Sequence, residues 1–148
     1  THDFADSPLS GAPLIFDGGL GTRLADRGND VTGALWSAEI LRNNPIEVQR
    51  AHEDFYRAGA DVATTCSYQV TFDALGNEAE ELLRRSVDLA RNAAEVVSAE
   101  QGNDRPLYVA ASVGHIDHPR DGRADKVGKH SAQGTCLGNG VAGADEET

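Results

Sequence analysis

The chain has 148 residues, 39% of them hydrophobic and 5% aromatic, and carries 13 Lys and Arg against 24 Asp and Glu for a formal net charge of -11. That length suits one ordinary domain, and scattered bases among so many acids exclude a nucleic-acid partner, because neutralising phosphates takes clustered Lys and Arg. No apolar run nears the roughly 18 residues that span a bilayer, and THDFADSPLSGAP lacks the basic-then-apolar order of a secretory signal, so no membrane partner and a cytoplasmic location are expected.

The core must come from Ala, Val, Leu and Ile, with Trp36 as its single large anchor. Leu14 to Phe16 is a short apolar run closed by Asp17, Gly18 and Gly19, which reads as a buried first strand. A helical turn is expected over Leu20 to Asp26, broken by Arg27, Gly28, Asn29 and Asp30, and Trp36 starts a new apolar segment. Asn44-Pro45-Ile46-Glu47 signals a helix start, with an amide cap, a proline at the first position and an acid facing the helix dipole. This helix should run to about Ala58 and end at Gly59, before the β-branched strand ADVATTCSY. Asn77 opens a longer helix whose Leu83, Val87, Ala90, Ala94 and Val97 fall on one face. After Gly102, Asn103 and Asp104 comes LYVAASVG, an unbroken apolar run of the kind found in covered parallel sheets.

Strand, helix, strand, helix, strand points to an α/β fold with parallel strands and right-handed crossovers. Residues 115–148 are rich in Gly, Asp, Lys and His with only isolated apolar positions, so disorder is expected there and the folded part is placed at 1–114. The two cysteines, Cys66 and Cys136, are too few for a disulfide scaffold. His115, Asp117, His118, His130 and Cys136 carry metal-capable atoms, and a chance grouping is the favoured reading. His52, inside a helix beside Glu53 and Asp54, reads as structural or solvent-facing, and Cys66 as an inert small hydrophobe.

Function in a parallel α/β unit sits at the carboxyl ends of the strands. That brings together Asp17-Gly18-Gly19, Thr64-Thr65-Cys66-Ser67-Tyr68 and Ser112-Val113-Gly114. Taken singly these residues have plainer readings: Asp17 as the cap of the next helical turn, the glycines as a tight turn, Tyr68 as a core aromatic.

The ordered set FDGGLGTRL, LWSAEIL with NNP, HEDFYRAGADVATTCSYQ and VAASVG resembles the homocysteine S-methyltransferases over about Leu14 to Gly114. The resemblance implies a zinc-dependent (β/α)8 barrel of which this chain holds about the first three strands and their helices, with homocysteine and a methyl donor such as S-methylmethionine as partners and methionine as product. It implies that Asp17, Gly18 and Gly19 line the amino-acid pocket, Asp17 meeting the substrate ammonium, and that Thr64, Thr65 and Tyr68 line the adjoining wall. Family zinc is held by cysteines of later strands, absent here, so no metal ligand is assigned and no zinc is expected on this chain alone.

A whole barrel takes on the order of 250 residues, so the chain alone is expected to be catalytically inactive and, with two open sheet edges, prone to self-association. A reading-frame shift after Gly114 is the favoured explanation of the tail. Two other functions remain open: a half-barrel that pairs with a separately encoded partner, and a small phosphate- or nucleotide-binding α/β module using GGLGT. The second is disfavoured because GGLGT has neither the G-x-G-x-x-G spacing nor a P-loop lysine.

Overall fold

A computed structural model describes residues 13–102 and 105–114. The expectations for residues 115–148, including the metal-capable His and Cys group, lie outside the described residues.

The elements in chain order are α1 (Leu20–Asp26), α2 (Trp36–Asn43), α3 (Pro45–Arg57), β1 (Val62–Thr64), α4 (Phe72–Leu75), α5 (Glu78–Gln101) and β2 (Tyr108–Ala110). β1 and β2 pair in parallel with Val62 opposite Tyr108 and Thr64 opposite Ala110, so the long α5 is their crossover. The expected first strand at Leu14 to Phe16 shrinks to a single parallel bridge, Phe16 to Val62. Ile15 C=O accepts from the N–H groups of Asp61 and Val62, and Asp17 N–H donates to Val62 C=O, before the chain leaves the sheet at Gly18.

The helix boundaries follow local chemistry. α3 begins with Pro45, carries Glu47 in its first turn and ends at Gly59 with φ +108°. There Gly59 N–H donates to Tyr56 C=O and Ala60 N–H to Phe55 C=O, the double bond pattern of a glycine-terminated helix. α1 ends identically: Gly28 stands at φ +86°, its N–H donating to Ala25 and that of Asn29 to Leu24. The expected side-chain caps are not made. Asn44 and Asn77 form no cap bond, nor does Asp17, since the residue preceding α1 is Gly19. Thr71 does cap α4, its hydroxyl accepting from Ala74 N–H at 3.3 Å.

One core cluster gathers Leu24 of α1, Ala38, Ile40 and Leu41 of α2, Val48 and Ala51 of α3, and Ala79 and Leu82 of α5, with Cys66 and Val70 between them. A second, between the sheet and the long helices, holds Tyr56, Ala63, Ala93 and Val97. Tyr56, not Trp36, is the large buried anchor, its hydroxyl donating to Tyr108 C=O at 2.7 Å. Trp36 is only partly buried and lies against Gly21 of α1. On α5 the buried stripe is Ala79, Leu82, Ser86, Ala90, Ala93 and Val97. The expected stripe was rotated, because Leu83, Val87 and Ala94 flank this face and are half-buried. Arg27 bridges α1 to Glu47 and Asp54 of α3 at 2.9 Å each, and Arg57 joins α3 to Glu100 of α5; such partly exposed pairs add only tenths of a kcal/mol to about 1 kcal/mol apiece.

His52 is wholly buried, and among the described residues neither ring nitrogen has a hydrogen-bond partner. The structural reading of this residue therefore holds and the solvent-facing one does not. Burial lowers its pKa from 6.5 to about 4. Between those values the unfolded chain binds a proton that the folded chain refuses, so stability is full above about pH 6.5 and falls as the pH drops toward 4. At pH 5 the loss should be about 2 kcal/mol by the 1.4 kcal/mol per pH unit of linkage. The carboxylates held low by arginines, Glu47, Glu78 and Glu100, lose their contribution only below their ordinary 4.5. Urea midpoints at pH 7 and pH 5 should differ for the natural chain and converge for His52→Leu; an undiminished difference in the variant would assign it elsewhere.

Candidate active site

Three stretches meet at the carboxyl ends of the parallel strands. Asp17 follows the Phe16 bridge, Thr64 and Thr65 end β1, and Ser112 to Gly114 follow β2. Asp17 N–H donates to Val62 C=O at 2.9 Å, and its carboxylate turns toward Thr64. Oδ2 accepts from Thr64 N–H and Oδ1 from the Thr64 hydroxyl, both at 2.8 Å. In a longer strand a backbone carbonyl would take the Thr64 N–H; here the side chain takes it, because Gly18 leads the backbone away. Burial raises the Asp17 pKa above 3.8, outweighing the Thr64 hydrogen bonds that favour the charged form. Each carboxylate oxygen keeps a further lone pair for a ligand.

Gly18 and Gly19 are exposed. An added Cβ at Gly18 would stand 3.1 Å from the Phe55 ring of α3, and one at Gly19 would stand 3.2 Å from the Thr22 hydroxyl. Both glycines thus have a packing reason for being small, besides leaving backbone open on the strand-end side.

Thr65 is only 3% exposed and its hydroxyl is engaged by neighbours: it lies 2.6 Å from the Ser67 Oγ and accepts from Ser112 N–H at 2.9 Å. Tyr68 stands differently, with 58% of its surface exposed. The strand-end stretches of the sequence contain Ser67 and Ser112 without giving either a role, and nothing local marks Phe55 beyond its place in HEDFYRAGADVATTCSYQ. Cys66 is buried beneath, its thiol pushed up to about 12. Among the described residues no three His, Cys, Asp or Glu side chains converge as a metal site would require. A zinc centre takes three or four convergent His, Cys or carboxylate ligands, so the described residues do not fit one. Among them, too, no helix is long and apolar enough to cross a membrane.

The family model described as homocysteine S-methyltransferase matches residues 14–134, running past Gly114. The chain belongs to the homocysteine S-methyltransferase family. It is 42% identical to homocysteine S-methyltransferase 4 of Zea mays over 116 residues, covering 71% of this chain and 34% of that protein. It is 45% identical to the Escherichia coli homocysteine S-methyltransferase over 107 residues, 68% of this chain and 34% of that one. Selenocysteine methyltransferase of Astragalus bisulcatus is 39% identical, with 71% of this chain and 37% of that protein covered. The crystal structure of the Escherichia coli homocysteine methyltransferase in metallated form superposes with a TM-score of 0.67 at 39% identity, over 74% of this chain and 41% of that one. The chain thus spans about a third of the length of the curated relatives it matches.

The neighbouring turns are tightly set. A Cβ on Gly114 would lie 2.5 Å from the Tyr68 carbonyl oxygen, a distance that only backbone movement relieves. Gly114→Ala should therefore destabilise the chain by about 1–3 kcal/mol, the usual cost of overpacking, whereas Gly28→Ala should lose stability through its positive φ with no steric contact. Urea unfolding of both variants checks this, and only Gly114→Ala should also disturb the environment of Tyr68.

Proposed function

We propose that this chain supplies the amino-acid-binding wall of a homocysteine S-methyltransferase, and that it forms about the first three β/α units of a (β/α)8 barrel. The observation that carries the reading is the Asp17 carboxylate, half-buried at the carboxyl ends of parallel strands with free lone pairs, in a segment 45% identical to a homocysteine S-methyltransferase.

In this reading the substrate ammonium lies on Asp17, whose orientation Thr64 fixes in advance. The open backbone at Gly18 and Gly19 lets the amino-acid end come close, and Tyr68 stands at the rim beside it. Thr65 completes the same wall from behind. Methyl transfer forms a bond between the homocysteine sulfur and the donor methyl carbon. The donor's own carbon–sulfur bond breaks with its electron pair going to the donor sulfur, and the thiol proton is lost. The zinc of the family reading belongs to residues other than those described, and the chain by itself is expected to bind the amino-acid end without completing the transfer.

Calorimetric titration of L-homocysteine into the chain tests this. Asp17→Asn should weaken binding at least tenfold at pH 7, as expected for a lost charge-assisted hydrogen bond. Because the Asp17 pKa is raised, binding to the natural chain should fade as acid protonates the carboxylate, beginning above the ordinary aspartate value. Equal affinity of natural and Asp17→Asn chains would overturn the reading.

A further inference from the structure

The ladder between β1 and β2 ends where Thr65 N–H donates to Ala110 C=O at 2.9 Å. Beyond it the two segments stay joined by a ring of three hydrogen bonds. Ser67 Oγ donates to Ser112 C=O at 2.7 Å, which commits its single proton, so in the contact of 2.6 Å between the two hydroxyls Thr65 is the donor. Ser112 N–H then closes the ring onto Thr65 Oγ1 at 2.9 Å. Every proton has one acceptor, and both hydroxyl residues are buried.

Apolar residues could fill the same space without the desolvation that two buried hydroxyls cost; what the ring adds is a fixed geometry. It fixes the turn that carries Tyr68. On one flank Ser67 N–H donates to Thr65 C=O and Val70 N–H to Ser67 C=O, and on the other the Tyr68 carbonyl lies against Gly114 with no room for a Cβ. The backbone of Tyr68 is held from both strand ends while its ring projects outward.

We propose that Thr65 and Ser67, through the Ser112 peptide, are positioning residues that set where the Tyr68 ring stands over the strand ends. The proposal rests on the reading of Tyr68 as part of the substrate wall. It reassigns Thr65 from touching substrate to acting through another residue. The Ser112 side chain has no part in it, since only the peptide N–H and C=O of that residue join the ring.

The test incorporates 3-fluorotyrosine into the full chain, which has three tyrosines, and follows their fluorine resonances, with Tyr68 assigned through Tyr68→Phe. Ser67→Ala and Thr65→Val should shift and broaden the Tyr68 resonance while leaving buried Tyr56 in place, and Thr65→Ser and Ser112→Ala should keep the natural spectrum. An unmoved Tyr68 resonance in folded Ser67→Ala and Thr65→Val would overturn the proposal, whatever their melting temperatures. Should those variants fail to fold, hydrogen exchange of the natural chain decides: the Ser112 amide should exchange at least tenfold more slowly than the Val113 amide, and exchange as fast as an open loop would overturn the ring. Adding L-homocysteine to the natural chain separates the two claims. A Tyr68 resonance indifferent to saturating homocysteine would remove Tyr68 from the substrate wall, and the response to Ser67→Ala would still decide whether the ring positions it.

Discussion

The carboxylate of Asp17, accepting from both the N–H and the hydroxyl of Thr64, takes over strand pairing where glycine turns the first segment out of the sheet. Strands of three residues offer few ladder bonds, and short sheets need other elements to hold them. The opposite end is secured in kind. Asp61 accepts from Ile15 N–H through Oδ2 and from Arg105 through Oδ1. The same guanidinium donates to the carbonyls of Tyr56, Gly59 and Ala60 at the end of α3. One aspartate at each end thus joins segments that lie more than forty positions apart in the chain.

These two ends serve different purposes. At the amino ends of the strands Asp61 and the described contacts of Arg105 tie the first segment and the end of α3 to the sheet. At the carboxyl ends Asp17, with one bond on each oxygen, leads directly into the exposed backbone of Gly18 and Gly19. A half-buried carboxylate whose orientation is settled before a ligand arrives is suited to receiving an ammonium group. The hydroxyl ring on the neighbouring strand ends extends that order to the rim.

Much of this was legible in the residues. Pro45 and Gly59 fixed both ends of α3, Leu20 to Asp26 was read as helical, and the parallel order followed from the alternation of apolar runs and helices. Asp17, Thr64 and Tyr68 were placed at one end of the sheet by topology alone. Other features were hidden for physical reasons. α5 carries two adjacent apolar stripes, and periodicity weighs them alike, whereas Ser86 lies at the centre of the buried one because its hydroxyl donates to Leu83 C=O. His52 gives no sequence sign of being wholly enclosed, since acids follow it on a helix whose other face is wet. The ring of Thr65, Ser67 and the Ser112 peptide depends on two segments separated by the whole of α5, and no local pattern announces it.

The seam between α1 and α2 carries one more consequence. Trp36, the chain's single indole, rests with its six-membered ring 3.2 Å from where a Cβ on Gly21 would be, two residues beyond Gly19. Its emission is therefore a built-in optical gauge of the glycine turn: movement of that turn alters the polarity around the indole, and no added label is needed to watch it.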